Sequence, residues 1–262
     1  MKPLTARLDL AGFFERVAKA PTRLLMLDYD GTLAPFHVQP ERAVPYPGVA
    51  RVLDEIVASG GTRIVIVSGR PADEVPPLLG LAEPPEIWGS HGWERLLPDG
   101  RRVVEQPGAD AQRALNAAAA AVEALPASGA RLERKLASVA LHWRGLPADA
   151  EDDLRRRATE AWKEIAVQGA LEMLPFDGGL ELRTVGCNKQ YAVKAVLSET
   201  AEESAIAYLG DDITDEDAFR AVRTRGIGVL VRPQFRETGA DLWIRPPGEL
   251  VEFMRHWSVR AN

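Results

Sequence analysis

Three short apolar runs, each ending in an acidic or small-residue turn, constrain this fold more than any other feature. Residues 24–27 (Leu-Leu-Met-Leu) stop at Asp28, residues 63–67 stop at Ser68-Gly69-Arg70, and residues 205–209 stop at Gly210-Asp211-Asp212. A mostly apolar run of that length, interrupted only by Arg63 at the start of the second, is how a strand buried on both faces of a parallel sheet reads. Residues 227–231 and 242–244 repeat the pattern. Helix-period segments lie between the runs, residues 49–58 among them, and a helix is expected to begin near Pro71, because proline suits a first turn. The alternation predicts an α/β fold built on a doubly wound parallel sheet, with its ligand crevice at the carboxyl ends of the strands.

The middle of the chain breaks this rhythm. An alanine-rich helix is expected over 110–125, paired strands over 131–135 and 139–144, a long helix over 148–167, and two further strands over 171–174 and 180–183. Two helices among four closely connected strands predict an α+β insert at 106–184, between core halves 1–105 and 185–262. Alternation sets Glu133 and Lys135 opposite Leu132, His142 and Arg144 opposite Leu141 and Trp143, and Glu181 and Arg183 opposite Leu180 and Leu182. Pattern alone leaves that polar face equally open to solvent or to a ligand.

Asp28 and Asp30 sit two apart after a buried strand, so both carboxylates project to one side while Tyr29 turns away. Gly31 permits a sharp turn that brings backbone N–H groups toward an anion. The stretch Asp211-Asp212-Ile213-Thr214-Asp215 reads partly as a helix start with Thr214 as N-cap. Asp211 and Asp212 precede that cap, where capping has no use for an acidic pair. Carboxylates gathered beside Asp28 and Asp30 would repel by several kcal/mol, on the order of 332/(εr) with ε about 20. A divalent cation removes that cost, and oxygen ligands alone suit Mg²⁺, with Asp28, Asp30, Asp211 and Asp212 as candidate ligands. Ser68-Gly69-Arg70 offers a hydroxyl and backbone donors to phosphate oxygens, or else a serine cap. Lys189, opening a helix, offers a point positive charge.

Composition excludes several classes. One cysteine, Cys187, rules out a disulfide within the chain and a thiolate zinc cluster, and four scattered histidines form no ligand pair at helical spacing. A formal net charge of −6 argues against a nucleic-acid surface. No apolar run approaches 18 residues and no basic-then-apolar leader is visible, so a soluble cytoplasmic monomer, with no membrane partner, is the expectation.

Taken in order, Asp28-Tyr29-Asp30-Gly31-Thr32-Leu33, Val67-Ser68-Gly69-Arg70, Lys189 and the run from Gly210 to Phe219 resemble the haloacid-dehalogenase-like phosphatases with a large cap after the second motif. Within them the chain is similar to the trehalose-6-phosphate phosphatase family over residues 24–245. Gly89-Ser90-His91-Gly92-Trp93-Glu94, Glu133-Arg134-Lys135 with His142-Trp143-Arg144, and Leu180-Glu181-Leu182-Arg183 carry that narrower likeness. Gln190 and Arg134 depart from the family pattern, which has glycine and commonly aspartate there. The resemblance implies a Rossmann-like core sheet with an inserted α+β cap. It implies Asp28 as nucleophile, Asp30 as acid and base, and Lys189 as a catalytic group that binds phosphate with Ser68, Gly69 and Arg70. It further implies Mg²⁺ on Asp28, the Asp30 carbonyl and Asp211, with Asp212 or Asp215 in support. A sugar phosphate would be read by His91, Glu133, Lys135, His142, Arg144, Glu181 and Arg183. The implied reaction is hydrolysis of trehalose 6-phosphate in trehalose biosynthesis. Phosphatases of sucrose 6-phosphate or mannosyl-phosphoglycerate, a phosphosugar mutase, and a non-catalytic phosphosugar-binding regulator are the alternatives.

Overall fold

A computed structural model describes residues 1–125, 129–169, 171–186 and 188–258; Cys187 lies outside the described residues. A short edge strand β1 (Lys2–Pro3) and helix α1 (Leu10–Lys19) lead into β2 (Arg23–Leu27), α2 (Val49–Ser59), β3 (Thr62–Val67) and α3 (Val75–Leu79). Three short strands follow: β4 (Glu86–Gly89), β5 (Glu94–Leu96) and β6 (Arg102–Val104). Next come α4 (Ala109–Glu123), β7 (Arg131–Arg134), β8 (Ser138–His142), α5 (Ala148–Gly169), β9 (Leu171–Phe176) and β10 (Gly179–Thr184). The chain closes with α6 (Lys189–Ser198), β11 (Ala205–Gly210), α7 (Glu216–Val222), β12 (Ile227–Val231), β13 (Leu242–Ile244) and α8 (Gly248–Arg255). These elements form two compact units, Met1–Val103 with Asn188–Asn262, and Val104–Cys187.

In the first unit the strands run β1-β13-β12-β11-β2-β3-β4-β5-β6, parallel from β13 through β4. From β2 the chain winds outward through β3 and β4. It later returns to pair β11 on the other side of β2 and winds outward again. The order therefore reverses between β2 and β11, which makes that pair the topological switch point. Successive residues of β2 point to opposite faces. Leu25 and Leu27 join Phe13, Val52, Ile56, Phe253 and Trp257 in one apolar layer, while Leu24 and Met26 join Val193, Val196, Phe219 and Val222 in the other. Helices thus cover both faces of the sheet, which is why its strands read as mostly apolar runs.

The second unit is a four-stranded antiparallel sheet, β7-β8-β10-β9. Leu141, Leu180, Val139 and Leu182 pack against Leu115, Ala118, Val122, Leu154 and Trp162 of α4 and α5. The Trp162 indole N–H donates to the Ala118 carbonyl at 2.9 Å, which satisfies its one polar atom inside that core.

The α/β core with an α+β insert is as the sequence predicts, but several local expectations are corrected. No α-helix begins at Pro71. A 3₁₀ turn spans Ala72–Glu74 and the five-residue α3 follows. Pro76 and Pro77 fit only a first turn, and Gly80 in the left-handed region ends the helix at once. Strand β4 escaped the apolar-run criterion because Glu86 opens it. That carboxylate is buried only because Arg63, Arg95 and the Trp88 indole N–H all donate to it. Among the described residues no helix is long and apolar enough to cross a membrane.

Candidate active site

Strands β2 and β11 lie side by side with Leu27 opposite Leu209, so Asp28 and Asp211 leave the sheet at the same edge. Gly31 takes a left-handed φ of 85°, and a Cβ there would collide with the Asp211 carboxylate. Only glycine lets the two turns approach this closely. One carboxylate oxygen from each of Asp28, Asp211 and Asp215 falls within a cluster whose members all lie within 4.8 Å of one another.

Each member has a distinct surrounding. Asp28 accepts from Lys189 Nζ at 2.6 Å on Oδ1 and from Thr32 Oγ1 at 3.0 Å on Oδ2. Asp215 accepts from Lys189 Nζ and from the Tyr208 hydroxyl on Oδ1, both at 2.6 Å. Its Oδ2 takes the backbone N–H groups of Asp211 and Asp212 at 3.0 and 2.9 Å. With four donors Asp215 has no lone pair left for a cation, so it organises the turn. Asp211 is the reverse case: its Oδ1 is buried and has no hydrogen-bond partner.

Charge explains the tension. Burial pushes the Asp28 carboxyl up to about 7, with Lys189 pulling it down and Asp215 pushing it further up. Burial, and then the charges of Asp28 and Asp215, hold Asp211 well above the carboxylate range. Burial would lower Lys189, but Asp215 and Asp28 outweigh it and raise the ammonium above its ordinary value. A buried, unpartnered carboxylate oxygen beside a second carboxylate at a strand edge is the donor set that a hard divalent cation satisfies. Asp28 and Asp211 fit such an ion.

Asp212, a candidate ligand from sequence, lies outside this cluster. Its side chain accepts from the Ile213 N–H and, with Asp215, closes a capping box, so Asp212 is the N-cap of the Ile213–Asp215 turn rather than Thr214. The Asp30 side chain also points elsewhere. Arg70 grips it with Nε at 2.7 Å on Oδ2 and Nη2 at 2.6 Å on Oδ1, a planar two-point contact that a lysine could not make. The Arg70 guanidinium also stands 5.5 Å from the centre of the Tyr29 ring, so as a phosphate ligand it is already engaged. Ser68 is buried and its Oγ accepts the Arg70 N–H at 3.1 Å, which leaves the hydroxyl proton to donate. His91, at φ 59°, lays its ring on Gly69, where a Cβ would come 2.7 Å from the ring.

The second unit carries the other candidates. Glu133 Oε2 meets His142 Nε2 at 2.6 Å, and Glu181 Oε1 accepts from Lys135 at 3.3 Å and Ser138 at 2.7 Å. Register places Glu133 and Glu181 on either side of Ala140, so the four groups share one sheet face. Arg183 instead pairs with Glu172, and Arg144 bonds the Asp177 carbonyl at the β9–β10 turn. Sequence reasoning missed Tyr208 and Thr32 and undervalued Asp215. The signal was faint: Tyr208 hides in an apolar run, and Asp215 four residues after Asp211 looks like an ordinary first-turn acid.

A model of the trehalose-phosphatase family matches residues 26–240. A trehalose-phosphate phosphatase of Mycobacterium marinum is 32% identical over 248 residues, covering 89% of this chain. The chain spans about 60% of that relative's length. Among solved structures, the C-terminal domain of a Candida albicans trehalose-6-phosphate phosphatase superposes with a TM-score of 0.80 at 21% identity, covering 98% of this chain and 99% of that one. A trehalose-6-phosphate phosphatase related protein gives 0.68 at 28% identity, covering 90% and 96% of the two chains.

Proposed function

Because this chain belongs to the trehalose-phosphatase family, we propose that it is a Mg²⁺-dependent phosphomonoesterase that hydrolyses trehalose 6-phosphate to trehalose and phosphate. The observation that carries this reading is Asp28 itself: a buried carboxylate at the switch point, gripped by Lys189 on one oxygen and clustered with Asp211, one of whose buried oxygens has no hydrogen-bond partner. Mg²⁺ held by Asp28, Asp211 and the Asp30 carbonyl would offset charge on the transferring phosphoryl group.

Asp28 attacks phosphorus through a carboxylate oxygen, and the bond from phosphorus to the sugar oxygen breaks. Asp30 gives its proton to that departing oxygen. It then takes a proton from the water that cleaves the aspartyl phosphate, which restores Asp28 and frees phosphate. Arg70 holds both Asp30 oxygens in the substrate-free chain, so the acid step requires Arg70 to release one of them, which then carries the proton to the departing oxygen. The Ser68 hydroxyl and the Lys189 ammonium bind the remaining phosphate oxygens, and Asp215 with Tyr208 keeps Lys189 in place. Glu133, Lys135, His142 and Glu181 read sugar hydroxyls from the insert sheet. A phosphorylated metabolite as substrate supports a cytoplasmic setting.

The test is phosphate release from trehalose 6-phosphate, sucrose 6-phosphate, mannosyl-phosphoglycerate and glucose 6-phosphate, with Mg²⁺ and with EDTA. Turnover should be highest on trehalose 6-phosphate and vanish on chelation. Preference for another sugar would overturn the substrate, and undiminished activity in EDTA would overturn the metal.

A further inference from the structure

The acidic turn after β11 is braced from behind by the segment that links β12 to β13. Arg236 reaches back from that segment and donates through Nε to the Asp211 carbonyl at 3.1 Å and through Nη2 to the Asp212 carbonyl at 2.7 Å. Its third nitrogen, Nη1, bonds Glu216 and the Glu237 carbonyl. Glu216 is fixed in turn by the Thr238 hydroxyl and the Gly239 N–H, each at 2.8 Å. Arg232 adds a longer contact to the Asp211 carbonyl at 3.4 Å. The same two residues give their N–H groups to Asp215 on the opposite side. Every backbone polar group of Asp211 and Asp212 is therefore pinned: both N–H groups by the Asp215 carboxylate, the Asp211 C=O by Arg236 and Arg232, and the Asp212 C=O by Arg236 and by the Asp215 N–H at 3.0 Å.

We propose that Arg236 is a positioning residue for the cation site: its planar fork sets the backbone angles at Asp211 and so the direction in which that carboxylate enters the cluster. The inference rests on the metal reading given above. Burying a partnerless carboxylate oxygen beside Asp28 and Asp215 is unfavourable, and without the brace the turn would relax by letting its carbonyls seek water and Asp211 swing away. Groups that orient ligands without touching the metal characteristically govern affinity by 10- to 100-fold. The brace works by shape as well as charge. A lysine at 236 keeps the positive charge but cannot reach both carbonyls and Glu216 together.

Calorimetric titration of the full chain with Mg²⁺ tests this, comparing wild type with Arg236→Lys and Glu216→Gln, alongside melting in EDTA. Arg236→Lys should weaken Mg²⁺ binding by about tenfold or more, and Glu216→Gln by less. In kinetics the Mg²⁺ concentration for half-maximal rate should rise in step, with kcat recovering at saturating Mg²⁺ and the KM for sugar phosphate unmoved. Wild-type affinity in Arg236→Lys would overturn the inference, as would a melting loss in EDTA with unchanged Mg²⁺ affinity. Absence of any Mg²⁺ binding by wild type would overturn the metal reading, and this inference with it.

Discussion

Asp211 carries a conflict that protonation or a bound cation would relieve. Its carboxyl is raised by burial first and by the charges of Asp28 and Asp215 next. A carboxyl whose folded pKa lies above its unfolded value stabilises the fold at low pH and loses that contribution as pH rises through the folded value. Above the ordinary carboxylate range, in the absence of metal, Asp211 in this buried site therefore works against folding. Asp211→Asn should melt higher than wild type at pH 8 in EDTA, by about 2–4 °C for each kcal/mol relieved. The order should reverse at saturating Mg²⁺, where wild type gains binding energy and the variant does not. A variant that melts lower than wild type in EDTA would show that Asp211 holds the fold rather than the ion. At this scale the sequence was readable where a residue ended a buried run, as with Asp28 and Asp211. It was opaque where the role depended on chain reversal: Asp215 and Tyr208 matter because a turn folds one over the other, and no local spacing records that.

On the insert sheet, alternation was enough to put Glu133, Lys135, His142 and Glu181 on one face, because strand periodicity fixes the side each residue takes. It could not separate Arg144 and Arg183 from them, since their partners Asp177 and Glu172 lie on β9 and the turn beyond it. If this face reads the sugar, Glu133→Ala or Lys135→Ala should lower kcat/KM for trehalose 6-phosphate by on the order of 10²-fold, through polar groups left unpaired. Hydrolysis of p-nitrophenyl phosphate, which has no sugar, should change only a few-fold. Equal losses on both substrates would mean these residues support the fold or the chemistry instead. A pH measurement separates the structural share. Burial raises Glu133, but the His142 hydrogen bond and the Lys135 charge outweigh it and bring it to about 2. The ionised group thus stabilises the fold above its unfolded pKa of ~4.3, and that contribution fades as pH falls toward 2. Glu133→Gln should accordingly melt below wild type at pH 7, with the gap narrowing as pH drops from about 5 to about 3. A gap that stays constant over that range would assign the loss to packing.

For the molecule as a whole, what made the fold legible was burial on both faces of the sheet, which writes β2, β3, β11 and β12 as apolar runs. The short strands β5 and β6 are only partly buried or exposed and left no such mark. The winding order then does the functional work. Because the chain reverses between β2 and β11, the two acidic strand ends come from opposite halves of the sequence and meet at one sheet edge. Everything proposed here turns on Asp28, at that edge, taking the phosphoryl group. The direct measurement is acid quench of wild type during turnover of trehalose 6-phosphate, followed by mass mapping of phosphorylated peptides. A single acid-stable, base-labile phosphate on Asp28, absent from Asp28→Asn although that variant stays folded and is inactive, is the predicted result. Phosphate trapped on another residue, or an active Asp28→Asn, would contradict it.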